Sequence, residues 1–254
     1  MYIYKTIQYS LFSLVCLLLS PFVIAGQSNT IDSENYVQLQ TANKETFSAY
    51  VAGPNNSRKA ILLIHGWWGL TWDVKTWANE FSVKGYRVMA IDLYNNQIAK
   101  HPKKAKKLMK SVKQSIANEK YSAAINALSV PGRKIAILGR SYGGAQTLHA
   151  ASVGKDKVSA AIIYYPYGKL ITEKEKLTSI KAPVLGHFAS DDFFLTPDKL
   201  DDFTSIIMDS SLKMTFKTHK AKHGFDKQNG QNYHEAAGEL AMRRTYQFLS
   251  KHLN

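Results

Sequence analysis

The residues best suited to chemistry lie together in the segment 139–144 (GRSYGG). It has the Gly-x-Ser-x-Gly spacing, follows the apolar run 134–138 directly and opens a stretch of helical character. A tight turn from strand to helix holds such a serine in a strained conformation and presents its hydroxyl at the carboxyl edge of a sheet. The pattern therefore predicts Ser141 as the nucleophile of a covalent mechanism. Phosphate binding is disfavoured, because the segment has neither Gly-x-Gly-x-x-Gly nor the Lys-Ser/Thr pair of a P-loop.

A serine nucleophile needs a general base, and chain order narrows the choice among eight histidines. In sites of this kind an acid and then a histidine follow the serine along the chain. His219 and His223 come at or just after the last predicted strand. His223 is favoured because it lies on a loop, with a glycine next to it that permits the turn. The acid that orients the base is expected after the preceding strand, where both Asp191 and Asp192 are available.

The tetrahedral intermediate of such a mechanism also needs two hydrogen-bond donors for its negatively charged oxygen. The segment 65–70 (HGWWGL) follows the apolar run 60–64. A His-Gly pair at a strand end lets a backbone N–H lie beside the serine. The backbone N–H groups of Trp67 and Tyr142 are therefore predicted to form the oxyanion hole.

Positioning these residues requires strands whose carboxyl ends meet at one edge of a sheet. Continuous apolar runs, typical of strands buried on both faces, alternate with helical stretches behind an opening hairpin. The predicted strands are 36–41, 46–52, 60–64, 86–91, 134–138, 158–164, 182–188 and 213–218. The predicted helices are 72–84, 103–129, 142–153, 169–180, 197–208 and 234–252. This order predicts an α/β fold: a mostly parallel, twisted sheet of about eight strands with helices on both faces and no cap domain.

Composition sets outer limits on function. The 254 residues are 45% hydrophobic and 20% charged, which is ordinary for a globular protein. With 33 basic and 19 acidic residues the net charge is +14, which permits an anionic partner. The one cysteine, Cys16, excludes a disulfide scaffold, a Cys-ligated zinc site and an iron–sulfur cluster. No metal or other cofactor is expected, since the His-x₃-His pair at 219 and 223 falls on a strand end and loop rather than a helix.

The first 25 residues are predicted to be a secretory signal peptide. Lys5 provides a basic start, an apolar run begins at Leu11, and small residues surround a cleavage site expected after Ala25. An uncleaved anchor is the alternative, but the run is only about 15 residues, shorter than the ~20 that a spanning helix needs, and Pro21 interrupts it. The mature chain, 26–254, is then one domain without cysteine, exported to a periplasm or the exterior.

Taken together, these motifs resemble the dienelactone hydrolase family of the α/β-hydrolase superfamily over about residues 45–250. The segment 92–94 (DLY) resembles the family's Asp-Leu-Tyr after its third strand. The His-Gly-Phe sequence at His223 matches its histidine loop, and 189–192 (ASDD) with Pro197 matches its acid segment. That match implies Asp192 rather than Asp191 as the acid. It also implies a carboxylic ester hydrolase with an α/β-hydrolase fold.

The departures from that family are informative about the substrate. Its founding enzymes use a cysteine nucleophile and carry a glutamate in the first loop, where this chain has Ser141 and Gly66. They hold a substrate carboxylate with two arginines, at positions that correspond here to Asn95 or Asn96 and to Lys227. A serine esterase acting on an ester, lactone or thioester other than dienelactone is therefore the favoured hypothesis.

Aromatic residues on the loops at the expected site predict a small, open substrate pocket. With no segment long enough for a cap, these side chains are expected to form its walls. The predicted pocket residues are Trp67, Trp68, Tyr142, Phe193, Phe194 and Phe225.

A basic stretch, Lys100–Lys120, supports other hypotheses. It contains eight lysines and one acid, Glu119, and a solvated helix face is its simplest interpretation. Electrostatic contact with an anionic envelope surface is the functional alternative. Nucleic acid is not expected as a partner, because no aromatic or arginine residues alternate with the lysines. A catalytically silent hydrolase-fold binding protein, or an envelope-surface protein acting through these lysines, remains an alternative to the esterase.

Overall fold

An eight-stranded sheet forms the centre of the part of the chain that the computed structural model describes, residues 35–168 and 174–254. The predicted signal peptide, 1–25, lies outside the described residues. The strands are β1 Tyr36–Gln40, β2 Thr46–Ala52, β3 Lys59–Ile64, β4 Arg87–Ile91, β5 Lys134–Arg140, β6 Ala160–Tyr164, β7 Val184–Asp191 and β8 Met214–Lys222. Their order is β1-β2-β4-β3-β5-β6-β7-β8. Only the β1–β2 and β2–β4 pairs are antiparallel, so the predicted hairpin and mostly parallel sheet are confirmed.

Helices cover both faces of this sheet. They are α1 Trp72–Ser82, α2 Pro102–Ser111, α3 Gln114–Leu128, α4 Tyr142–Gly154, α5 Lys174–Ser179, α6 Pro197–Met208 and α7 Glu235–Leu253. The alternating side chains of β3 show the division: Ile61 and Leu63 pack with α1 and α7, whereas Leu62 and Ile64 pack with the other helices. The residues of β3 are buried on both faces, as the apolar run predicted.

The predicted helix 103–129 is wrong in one respect, because the structure has two helices there. Val112 and Lys113 are extended, with ψ of 112° and 125°. Leu108 is buried from α2 and Ala117 from α3. These positions are nine residues apart, which is about two and a half turns of a helix with about 3.6 residues per turn. One straight helix would turn them to opposite sides, so the break lets both reach the same core.

The functional loops lie at one edge of the sheet. Because β3, β5, β7 and β8 are parallel, the loops that follow them leave from the same, carboxyl edge. The connection from β6 to β7, 165–183, contains the short helix α5 in its described part. Within 35–168 and 174–254 no helix is both long and apolar enough to cross a membrane.

Two histidines are buried where β7 and β8 pack against α7. The Nδ1 atom of His187 lies 3.0 Å from Nε2 of His219, and its Nε2 lies 3.1 Å from Oγ1 of Thr245. His219, the alternative base, is thus paired with His187 and makes no hydrogen bond to Ser141. Burial lowers the pKa of His187 to about 2 and that of His219 to about 4.

This pair is expected to make the protein acid-sensitive. Both pKa values lie below the unfolded value of 6.5, so the unfolded chain binds protons that the folded chain does not. The contribution of each histidine to stability is full above pH 6.5 and falls by up to about 1.4 kcal/mol per pH unit below it, until the pH reaches the folded pKa of about 4 for His219 and about 2 for His187. Chemical denaturation between neutral pH and about pH 4 measures this slope.

Two variants separate this effect from general acid denaturation. His219→Gln removes one buried titrating group and is expected to flatten the slope. His101→Gln changes an exposed histidine just before α2 and is expected to leave it unchanged. A slope that His219→Gln does not reduce would show that the pair is not the source of the acid sensitivity.

Candidate active site

Ser141 occupies a strained turn between β5 and α4. Its φ of 55° and ψ of −122° lie in a region that residues other than glycine rarely adopt, at a cost of about 1–3 kcal/mol. The flanking backbone holds this conformation. The Ser141 N–H donates to the carbonyl of Tyr164 at 2.9 Å, and the Tyr167 N–H donates to the carbonyl of Ser141 at 3.0 Å. The predicted strand–turn–helix context of Ser141 is therefore present.

The glycines of the motif make room for this turn. A Cβ at Gly139 would lie 2.1 Å from the carbonyl oxygen of Gly143. A Cβ at Gly143 would lie 2.1 Å from the carbonyl oxygen of Ile64 in β3. Both distances are far below any real Cβ contact, so α4 can begin this close to β3 and β5 only with glycine at the two positions.

His223 lies between Ser141 and Asp192, on the loop that follows β8. Its Nε2 atom is 2.9 Å from Oγ of Ser141, and its Nδ1 atom is 2.8 Å from Oδ2 of Asp192. The His223 ring packs edge-on against Tyr165 and Phe194, with centroid distances of 4.6 and 4.8 Å. The structure thus brings together the three side chains predicted as nucleophile, base and acid.

The two adjacent aspartates have different environments. The Asp192 side chain is 1% exposed, and its Oδ1 accepts hydrogen bonds from the N–H groups of Phe194 at 2.8 Å and Leu195 at 3.1 Å. These donors fix the carboxylate, so that Oδ2 faces the imidazole. Asp191 is exposed and pairs with Lys222 in the β7–β8 register, so it does not face His223.

The loop after β3 passes beside Ser141. A Cβ at Gly66 would lie 4.0 Å from Cβ of Ser141, so the loop that carries the Gly66–Trp67 peptide passes next to the serine. The N–H of Tyr142 belongs to the first residue of α4, where helical N–H groups lack partners within the helix. The partial positive charge at the start of a helix favours an anion at this point.

A buried histidine, His65, orients the Gly66–Trp67 peptide through contacts that the sequence did not predict. Nδ1 of His65 lies 2.7 Å from the carbonyl oxygen of Gly66, and Nε2 accepts the N–H of Leu93 at 3.1 Å. Nε2 is thus unprotonated and Nδ1 carries the hydrogen. Burial lowers the pKa of His65, while the nearby Asp92 acts against the shift. With the carbonyl held by His65, the Trp67 N–H of the same planar peptide points the opposite way.

A buried ion pair between Arg140 and Asp226 lies next to the candidate site. Nε and Nη2 of Arg140 both lie 2.7 Å from Oδ2 of Asp226, and the Tyr165 hydroxyl donates to Oδ1. The Arg140 guanidinium also stacks 3.6 Å from the ring of Trp77. Arg140 precedes Ser141 and Asp226 follows His223 by three residues, so this pair joins the two loops that carry the nucleophile and the base.

Removing one partner of this pair is expected to destabilise the fold strongly. Asp226→Asn keeps the side-chain shape but leaves Arg140, whose side chain is 11% exposed, without its counter-charge. A loss of roughly 3–5 kcal/mol in the free energy of unfolding is expected from chemical denaturation. Glu239→Gln is the matched control, because its pair with Arg243 is 59–61% exposed and contributes about 0.5 kcal/mol or less. Equal effects of the two changes would contradict this role for Asp226.

A cavity of about 360 Å³ opens onto Ser141 and His223. Of the predicted pocket residues, it is lined by Trp67, Trp68 and Phe194. Tyr167 also lines it, with its ring 4.6 Å from that of Phe194, although the sequence did not single it out. A larger cavity of about 470 Å³ lies between α1 and α7, but neither Ser141 nor His223 lines it. The smaller cavity is therefore the candidate substrate site.

Three of the predicted pocket side chains lie elsewhere. Phe193 is 86% exposed and points away from the cavity, because the backbone turn that places Asp192 and Phe194 inward leaves the residue between them outside. Phe225 is fully buried and packs on Tyr165 in the core. The Tyr142 ring is buried and stacked on Tyr94, so it does not line the cavity.

Lys227 and Asn95, which correspond to the two arginines of the resembled family, have different contacts in the structure. Lys227 lines the cavity, but its Nζ lies 3.2 Å from Oδ2 of Asp73. Asn95 accepts a hydrogen bond from Lys120 on the other side of the loop and does not line the cavity. Among residues 35–168 and 174–254, no group of three or more His, Cys, Asp or Glu side chains could hold a metal ion.

This sheet order, with a serine in a strained turn after β5 and an acid and a histidine after β7 and β8, defines an α/β hydrolase. Residues 47–253 match the model of the dienelactone hydrolase family, and the chain belongs to that family. The resemblance drawn from the motifs is thereby confirmed, and membership places the chain among hydrolases that cleave esters and lactones.

Individual proteins and solved structures are also similar to this chain. Protein usf of Aquifex pyrophilus is 22% identical over 216 residues, covering 80% of this chain and 93% of that protein. A dienelactone hydrolase-like promiscuous phosphotriesterase from metagenomic libraries has a TM-score of 0.72 at 17% identity, covering 85% of this chain and 98% of its own. An esterase of Pyrococcus furiosus has a TM-score of 0.61 at 15% identity, covering 86% and 92%.

Proposed function

We propose that this protein is a serine esterase that cleaves a small carboxylic ester, lactone or thioester through an acyl-enzyme on Ser141. The observation that carries the proposal is the placement of His223, with one ring nitrogen 2.9 Å from Oγ of Ser141 and the other 2.8 Å from Asp192. A serine, a base and an acid in hydrogen-bonded series form the arrangement that activates a hydroxyl for acyl transfer.

The reaction follows from this geometry in two halves. Ser141 Oγ attacks the substrate carbonyl carbon while Nε2 of His223 takes its proton. The negative charge on the former carbonyl oxygen is stabilised by the N–H groups of Trp67 and Tyr142. His223 then gives the proton to the leaving alkoxide or thiolate, and the acyl group stays on Ser141. In the second half His223 takes a proton from a water molecule, which attacks the acyl carbon. As the tetrahedral intermediate collapses, the bond from the acyl carbon to Ser141 Oγ breaks, His223 returns the proton to Oγ, and the acid is released.

Asp192 acts on this cycle without exchanging protons. Its Oδ2 accepts the Nδ1 hydrogen of His223, which leaves Nε2 free to accept the proton of Ser141. When His223 becomes positively charged, the carboxylate stabilises it. The two backbone N–H groups on Oδ1 keep the carboxylate from rotating away as this charge appears and disappears.

The cavity supports a small substrate with an apolar acyl or leaving group. Its volume of about 360 Å³ is near the lower end of the ~300–1,000 Å³ range of ligand pockets, and indole and phenyl rings form its walls. Gly66 brings no charge near Ser141, in agreement with a hydroxyl nucleophile. Lys227 is already paired with Asp73, which makes the carboxylate of dienelactone a poor match to the cavity.

We further propose that the protein is exported after cleavage following Ala25. The support is the basic start, short apolar run and small residues of 1–25. N-terminal sequencing of protein recovered from outside the cytoplasm is expected to begin at Gly26. A chain that retains residues 1–25 in that fraction would contradict cleavage.

Hydrolysis of p-nitrophenyl esters from acetate to laurate tests the proposed activity. Turnover with a preference for short acyl chains is expected from the cavity size. A fluorophosphonate that reacts with activated serines provides a second assay that does not depend on the acyl group. A folded protein that neither turns over an ester of the series nor reacts with the fluorophosphonate would contradict the proposal.

A further inference from the structure

A basic face covers α2 and the residues on either side of it. It consists of seven exposed lysines: Lys100, Lys103, Lys104, Lys106, Lys107, Lys110 and Lys113. Within α2, Lys103, Lys106, Lys107 and Lys110 lie on the side away from Ala105 and Leu108, the two residues that bury the helix against the core. Lys104 lies at the edge of this face and donates to the side-chain oxygen of Gln97 at 2.7 Å. The eighth lysine of the basic stretch, Lys120, is not part of this face, because it is 2% exposed and bonds to Asn95 inside the protein.

The basic face is electrostatically unfavourable for the isolated protein. The helix has no acidic residue in its first turn to match the helix dipole. Its lysines recur at spacings of three and four residues, which destabilises a helix by like-charge repulsion. In the described residues none of the seven lysines forms an ion pair with a carboxylate. Bound anions would reduce this repulsion, so the charges of this face favour an anionic partner.

Two exposed apolar side chains lie on loops at the carboxyl edge of the sheet, the edge onto which the Ser141 cavity also opens. Ile98 is 48% exposed and lies just before α2, while Phe193 is 86% exposed on the loop after β7. A continuous series of contacts joins them. The Phe193 ring packs on Phe194, which packs on Trp67, which packs on Trp68. The carbonyl of Trp68 then accepts the N–H of Ala99, next to Ile98.

We propose that the basic face, together with Ile98 and Phe193, binds the surface of an anionic phospholipid bilayer. The lysines contact the lipid headgroups, and the two apolar side chains enter the interfacial layer. A soluble polyanion would use the lysines but gives no role to the exposed apolar side chains of Ile98 and Phe193. In this orientation the mouth of the Ser141 cavity faces the bilayer. Binding itself is independent of the proposed esterase activity and is measured without substrate.

Vesicle sedimentation tests the basic face. The purified protein, with the same N-terminus in every variant, is mixed with vesicles of equimolar phosphatidylglycerol and phosphatidylcholine, or of phosphatidylcholine alone. Lys103, Lys107 and Lys110 are changed together to glutamine. A loss of about 10²-fold in partitioning to the anionic vesicles is expected, because each lysine near such a surface contributes a factor of about five.

The matched control removes the same charge from the opposite edge of the sheet. Lys84, Lys155 and Lys213 are exposed and lie just before β4, β6 and β8, so changing them to glutamine lowers the net charge equally. This triple variant is expected to keep wild-type binding within a few-fold. Equal losses in both triple variants would show attraction by net charge alone and would overturn the proposal, as would equal binding of the wild type to both vesicles.

The apolar contribution is tested with Phe193→Ser. Partitioning is expected to fall by about tenfold, since a phenyl ring transferred from water to an apolar layer contributes at least that factor. Val83→Ser and Met208→Gln, which alter exposed residues at the opposite edge, are expected to have no effect. If Phe193→Ser binds as the wild type does, the cavity mouth does not face the lipid and the proposed orientation is wrong. The hydrolysis of a soluble p-nitrophenyl ester is expected to stay unchanged in both triple variants, whose lysines do not line the cavity.

Discussion

Replacing Ser141 with alanine is expected to lower kcat/KM for ester hydrolysis by about 10⁴–10⁶-fold. Without the hydroxyl no acyl-enzyme can form, and only the oxyanion donors and substrate binding are left to accelerate attack by water. The fold is expected to persist, because alanine at φ 55° carries the same backbone strain as serine. Initial rates with the best p-nitrophenyl ester, measured alongside circular dichroism, check both expectations.

Ser152→Ala is a matched control in the same helix. The Ser152 hydroxyl donates to the carbonyl of His149 at 2.8 Å, away from His223. Its loss is expected to leave the rate unchanged. Activity that survives Ser141→Ala at more than about a hundredth of the wild-type rate would show that hydrolysis proceeds without this serine.

The second large effect on activity is expected from substitution of Asp192, one of the two aspartates at the end of β7. Asp192→Asn is expected to reduce kcat by about 10⁴-fold, because the asparagine amide donates to Nδ1 of His223 and forces the imidazole into the wrong tautomer. The two backbone donors on Oδ1 favour this outcome, since they hold the asparagine carbonyl oxygen and turn the NH₂ group towards His223. KM is expected to change little, because Asp192 does not line the cavity.

Asp191→Asn provides the comparison, with the same chemical change one residue earlier. Asp191 is exposed and does not face His223, so kcat is expected to stay within about twofold of the wild type. The two variants also decide the choice that the residues alone left open between these aspartates. A larger loss from Asp191→Asn than from Asp192→Asn would reverse the assignment.

The local sequence predicts those parts of the fold that have a strong pattern of apolar residues or glycines. The apolar run 134–138 predicted β5, and Gly139 and Gly143 predicted the sharp turn after it, because only glycine tolerates contacts of 2.1 Å. The last helix was placed within one residue at either end, at Glu235–Leu253. In these segments the sequence pattern and the tertiary environment favour the same structure.

Other features depend on contacts between distant segments. The break at Val112 follows from the need to bury Leu108 and Ala117 against one core, which the uniform helical propensity of the lysine-rich stretch hides. Phe193 and Phe194 are neighbours of the same type, yet one is 86% exposed and the other lines the cavity. The direction of each ring is fixed by the turn that holds Asp192, which composition does not reveal.

The supporting residues of the site were missed for the same reason. Arg140 and Asp226 are 86 residues apart in the chain and make a buried pair. Arg140 is next to Ser141 in the sequence and Asp226 is three residues after His223, and this proximity is the one signal that the sequence offers. His65 was noted as a strand-end residue, but its bond to the Gly66 carbonyl depends on the fold bringing Leu93 to its other nitrogen.

Covalent labelling of Ser141 is the most direct test of the proposed mechanism. After reaction with the fluorophosphonate, trypsin cleavage following Arg140 releases the peptide 141–155, which contains Ser141 and Ser152. Fragmentation by mass spectrometry is expected to place the label on Ser141, and prior incubation with an ester substrate is expected to slow labelling. An active enzyme whose Ser141 stays unmodified, or a label on another residue that abolishes activity, would contradict the account.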